Sequence, residues 1–165
     1  DAGWPGVAHH YPVCNHILVS SNLKLTGHEY SDTIPDKIQN IGPMGGIYSC
    51  LEKSKTNINL VLSVDAPFAY KNFFEFLLAF SENKDVIIPE YKGKVYPLTG
   101  VYKKTFLSII GGDIENKRYK MLTAVQKANH SIVKITESTD FYNDKFFLNI
   151  NTPGDLTEAE KYISQ

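Results

Sequence analysis

The chain has 165 residues, 42% of them apolar and 21% charged, with a formal net charge of −1. An intrinsically disordered chain is excluded, because ten tyrosines, nine phenylalanines and one tryptophan need an interior in which to pack. Near-neutral charge leaves no electrostatic footprint for nucleic acid or an anionic membrane surface, and the apolar runs at 59–64 and 73–80 fall far short of the roughly 18 residues of a membrane span.

The N-terminal stretch DAGWPGVAHH lacks the basic start and apolar run of a secretory signal. Two cysteines, Cys14 and Cys50, are too few for a disulfide framework, so a reducing, cytoplasmic setting is expected. HILVSSN (16–22) reads as a buried strand ending at Asn22. GPMGG (42–46) opens a helix that runs to about Lys53, and NINLVLSVD (57–65) is the strongest strand, apolar almost throughout. A helix over Lys71–Phe80 and a strand DVIIPEY (85–91) come next. Lys92-Gly93-Lys94 then makes a turn, and PLTGVYK is extended. Met121, Leu122, Val125 and Ala128 recur at helical spacing, SIVKIT and FFLNI read as strands, and a last helix is capped by Thr152 with Pro153 at its first position. Alternating strands and helices predict one α/β domain over residues 1–165 with a mainly parallel sheet. Ligands of such sheets bind beyond the carboxyl ends of strands, so polar residues there are the candidates.

Asp65, at the end of the strongest strand and followed by Ala66-Pro67, is a hard oxygen donor suited to Mg²⁺, although it could equally cap a turn. Gly42, Gly45 and Gly46, with Pro43, sit where a helix start could approach a ligand closely; taken alone they make a tight turn more readily than a ligand loop. Asn149 and Asn151 alternate across a strand end and carry the donors and acceptors that read a heterocycle edge. His9, His10, Cys14 and His16 have two metal-capable spacings, but ordinary loop histidines are the better reading. Arg118 is the chain's one arginine among 17 basic residues, so any anion site must lean on it, on lysine, on backbone N–H groups or on a metal.

Asn22, Asp36, GPMGG, LSVDAPF, YPLTG and FFLNINTPGDL follow one another in this order. Together they resemble the molybdenum cofactor guanylyltransferase family, over about nine-tenths of the chain. The resemblance implies a three-layer α/β/α Rossmann-like nucleotidyltransferase fold and transfer of GMP from GTP to the terminal phosphate of molybdopterin, with release of pyrophosphate and a requirement for Mg²⁺. It implies Asp65 as the catalytic metal ligand. Asn22, Asp36 and the Gly42, Pro43, Gly45, Gly46 turn would be the nucleotide contacts, and Arg118, Asn149 and Asn151 the acceptor contacts. Proteins of the molybdenum-cofactor pathway would be partners. The family's LAGGxSxRMGxDK loop has no counterpart here, which implies that the first strand and phosphate loop are missing from this chain. The near alternatives are a nucleotidyltransferase of the same fold using CTP or a sugar phosphate. A further alternative is a catalytically inactive binding module.

Overall fold

The computed structural model describes residues 14, 16–23, 31–66, 71–140, 142, 147, 154 and 157. Two short strands, β1 (Ile17–Ser20) and β2 (Ser31–Ile34), pair in parallel with Ile17 opposite Ser31 and Ser20 opposite Ile34. Helix α1 (Pro43–Lys53) carries the chain from the carboxyl end of β2 back to the amino end of β3 (Ile58–Val61) and packs on β1 and β2 on the way. Helix α2 (Lys71–Leu78) leads into β4 (Val86–Tyr91), the longest strand together with β7.

After Tyr91 the chain reverses. Lys92 and Gly93 have φ of 48° and 77°, and Tyr91 faces Lys94 across them; two left-handed residues in a two-residue loop make the turn whose twist suits a hairpin. Strand β5 (Lys94–Val95) therefore runs against β4, and so does β6 (Gly100–Lys103), which lies between β4 and β3. Helices α3 (Phe106–Glu115) and α4 (Met121–Lys127) follow, and β7 (His130–Ile135) pairs in parallel with the other side of β4. The sheet is thus mixed: β3, β4 and β7 share one direction, and β6 opposes them. The reason is chain length. A parallel neighbour needs a crossover of a dozen or more residues, and the link from Tyr91 to Gly100 is too short to provide one.

β4 is the wall between two cores, and its alternation assigns the sides. Val86 and Ile88 face a cluster with Met44, Tyr102, Phe106, Ile110 and Val125, beneath α1, α3 and α4. Ile87 and Tyr91 face the other cluster with Phe73, Phe74, Leu77, Val101 and Val133, beneath α2. Helices on both faces of the sheet give the three-layer α/β/α arrangement. The strand expected over 146–150 lies outside the described residues except for Phe147, which is in a 3₁₀ turn rather than a strand and stacks on Tyr91 with ring centroids 4.6 Å apart. The helix expected after Thr152 also lies outside them, apart from Gly154 and Thr157, both helical. No helix among the described residues is long and apolar enough to cross a membrane.

Candidate active site

Chain direction places five segments at one end of the molecule. β1 runs out into Ser21 and Asn22, β2 into Asp36, and β3 into Asp65; all three strands end at their carboxyl edge. Helix α1 runs opposite to β2, so its first turn, Gly42–Gly46, lies at that same edge. Helix α3 starts at the far edge, where the Lys104 N–H donates to Asn57 O just before β3 (2.8 Å), and α4 returns there, where the Asp85 N–H donates to Asn129 O (2.7 Å). The turn between them, which carries Arg118, is therefore directed back towards the carboxyl edge.

Ser20, Asn22 and Asp36 are tied into one network. The Ser20 hydroxyl donates to Asp36 Oδ1 at 2.7 Å, and the Asp36 N–H donates to Asn22 Oδ1 at 3.0 Å, so the exits of β1 and β2 are pinned together. A Cβ on Gly46 would collide with Ser20 Oγ, and one on Gly45 would lie 2.7 Å from Ile38 O, so packing against backbone demands Gly45, while Gly46 leaves room for the Ser20 hydroxyl where it stands. Gly42 takes φ 68° and ψ −157° at the N-cap, with no side chain capping the first turn of α1. Its helix start thus offers backbone N–H groups to an anion or carbonyl. Ser49 accepts from the Lys37 N–H at 2.9 Å and donates to Gly45 O at 2.8 Å, clamping the 35–41 loop onto α1. Beside this network a shallow groove lies between β2 and the second half of α1, lined by Asp32, Pro35, Lys37 and Glu52 among others.

Asp65 is half-buried in a turn closed by the Ala66 N–H donating to Ser63 O at 3.1 Å, next to an exposed Val64. The strand expected to run to Asp65 stops at Val61, because the chain turns at 63–66, so Asp65 stands in that turn; one carboxylate there, with phosphate oxygens and water completing the shell, is a donor set Mg²⁺ accepts, so the residue fits that ion. Among the described residues no three His, Cys, Asp or Glu side chains gather into a metal-holding group. His16 instead pairs with Asp32 (3.3 Å), and His9 and His10 lie outside the described residues. Asn149 and Asn151 also lie outside them. Burial pushes the Cys50 thiol, on α1, up to about 11, with the charge of Asp36 adding to the effect.

Arg118 is held by Asp113, from Nε to Oδ1 at 2.7 Å, and Lys127 Nζ pairs with the same oxygen. Burial alone would raise the Asp113 pKa, but hydrogen bonds from Lys127 and Arg118 hold it below the ordinary carboxylate value. Ser20, Ser49 and Asp113 carry this geometry and were not singled out from the sequence. Ser20 alone left a signal, as the last residue of a strand whose exit had already been marked.

Known proteins resemble both the sequence and the fold. The family described as MobA-like NTP transferase domain matches residues 6–131. A protein of Flavobacterium johnsoniae named "Probable molybdenum cofactor guanylyltransferase" is 32% identical over 94% of this chain and 86% of its own length. The crystal structure of molybdopterin-guanine dinucleotide biosynthesis protein A from Archaeoglobus fulgidus superimposes with a TM-score of 0.68 at 25% identity, over 81% of this chain and 68% of that one. The fold alone is shared with 2-C-methyl-D-erythritol 4-phosphate cytidylyltransferase from Thermus thermophilus, at a TM-score of 0.67 and 13% identity over 91% of this chain and 83% of that one. The fold is that of a nucleotidyltransferase. The chain belongs to the MobA-like NTP transferase family.

Proposed function

We propose that this protein transfers GMP from GTP to the terminal phosphate of molybdopterin, forming the guanine dinucleotide cofactor and releasing pyrophosphate. The observation that carries the reading is the network that joins Asn22 and Asp36 beside the α1 start, with Asp65 beyond the carboxyl end of β3, in a chain whose relatives bear the guanylyltransferase name. An oxygen of the acceptor phosphate attacks the α-phosphorus of GTP. The bond from that phosphorus to the β-phosphate bridging oxygen breaks, and pyrophosphate departs with the electron pair. No protein nucleophile is needed, because positioning and charge stabilisation supply the rate.

In this scheme the loop pinned by Asn22 and Asp36 and the Gly42, Pro43, Gly45, Gly46 turn border the guanine nucleotide. Arg118, Asn149 and Asn151 hold the acceptor. Asp65 holds Mg²⁺, which when bound neutralises phosphate charge and orients the leaving group. Molybdenum-cofactor pathway proteins would supply the acceptor and take the product.

The test is pyrophosphate release by the protein expressed from its complete reading frame, with molybdopterin and either GTP or CTP. GTP should be used and CTP should not; CTP preference, or no transfer with either, overturns the reading. Asp65→Asn should keep the fold while transfer falls by about a hundredfold or more, as for loss of a main charge-stabilising group.

A further inference from the structure

Two cations converge on one buried carboxylate in the turn between α3 and α4. Asp113 is 2% exposed, while its partners Arg118 and Lys127 are 52% and 40% exposed. Both cations bind Oδ1, and Oδ2 is buried with no hydrogen-bond partner. An anion in the last turn of a helix opposes the helix dipole, so helix stability does not call for aspartate there.

The backbone repeats the same link. The Arg118 N–H donates to Asp113 O at 2.8 Å, and the Lys117 N–H to Ile114 O at 2.9 Å, with Lys117 at φ 55°. These are the two bonds of a Schellman helix end, in which the flanking side-chain contact is ordinarily apolar. Here that contact is the Asp113–Arg118 ion pair. An apolar pair would end the helix as well, and would not fix a guanidinium.

The geometry of the grip matters. Asp113 holds Arg118 by Nε, and no other hydrogen bond of that guanidinium is formed among the described residues. The outer edge of the fork, with its terminal nitrogens, is the edge that binds a phosphate bidentately. With two cations on one carboxylate, the cluster keeps a surplus positive charge. We infer that Asp113 is a positioning residue, which holds Arg118 by its inner edge and presents the outer edge, at the substrate end of the sheet, to the phosphate of the acceptor. The identity of the acceptor rests on the guanylyl-transfer reading; the anion-presenting role does not.

In the arginine Nε–H spectrum of the tag-free protein, the Arg118 resonance is the one that disappears in Arg118→Lys. Inorganic phosphate should move that resonance saturably, and Asp113→Asn should weaken this binding by about tenfold or more. In the transfer assay Asp113→Asn should raise the KM for molybdopterin by a similar factor while kcat and the KM for GTP hold. On an Arg118→Ala background Asp113→Asn should add nothing to that KM. Arg118→Lys keeps the charge and the exposed surface but loses the fork, and should behave as Arg118→Ala does.

A resonance indifferent to phosphate overturns the inference. So does an Asp113→Asn variant that melts earlier with its KM values unchanged, since that is a helix staple and nothing more. Wild-type behaviour of Arg118→Lys overturns it as well, and keeps the test open should Asp113→Asn not fold. Phosphate binding that follows these expectations in a protein without guanylyl transfer supports the inference and removes the guanylyl reading.

Discussion

Gly45 and Gly46 sit side by side in α1 and resist a methyl group for different reasons. The neighbour of Gly45 is backbone, Ile38 O at 2.7 Å from an added Cβ, and it cannot move without displacing the 35–41 loop. Gly45→Ala should cost about 1–3 kcal/mol in urea unfolding, as overpacking does. The neighbour of Gly46 is the Ser20 hydroxyl, which can rotate away. Gly46→Ala should therefore melt close to the wild type. It should nonetheless bind GTP more weakly in calorimetry, because the rotation breaks the Ser20–Asp36 bond. Equal stability losses in the two variants would contradict the distinction.

Asp113 sets a pH dependence at the same scale. Its folded pKa lies below the ordinary 3.8, so its contribution to stability is complete above that value and is lost as pH falls through the lower folded one. The stability gap between wild type and Asp113→Asn, measured by urea unfolding, should be open at about pH 6 and narrow at about pH 3.

At the scale of elements, the end of α3 holds a correctable flaw. Lys117 occupies the left-handed position at φ 55°, where glycine is the ordinary occupant. Lys117→Gly should raise the urea midpoint by the equivalent of about 1 kcal/mol with the slope unchanged.

Elements differed in how far the sequence disclosed them. α1 was legible because glycine, proline and an apolar stripe mark its start. β4 was legible because a buried strand is a nearly continuous apolar run, and β3 and β7 because short runs rich in isoleucine, leucine and valine stand between polar segments. β2 was not, since SDTI is four residues long with three of them polar, and it becomes a strand only by pairing with β1. α3 was hidden by Gly111 and Gly112 at its centre, which lower helix propensity. Gly111 is tolerated because Tyr48 of α1 packs across it, 3.6 Å from where a Cβ would stand.

At the scale of the molecule, the site is legible as a set of strand ends and illegible as a network. Asn22 and Asp65 could be named because carboxyl ends of strands collect ligands in any such sheet, whereas Asp36, at the exit of a strand that was not foreseen, was named only by the family resemblance. The bond from Ser20 to Asp36 joins residues 16 apart, and nothing local foretells which strand exit will meet which. The opposed direction of β6 was hidden for a related reason: periodicity reports that a segment is extended and says nothing of which way it runs. Only the short Tyr91–Gly100 link carried that information.

Among the described strands β1 pairs with β2 alone and β3 with β6 alone, so each presents one edge that no described strand covers. Their sequences, Ile-Leu-Val-Ser and Ile-Asn-Leu-Val, contain no charge and no proline, the residues that ordinarily turn away foreign strands. The consequence is colloidal: wherever these edges are left unpaired, they are where copies of the molecule would stick. Ile58, 43% exposed on β3, is where a guard can be added. Ile58→Lys should raise the protein concentration at which light scattering sets in, and an unchanged onset would locate the adhesive surface elsewhere.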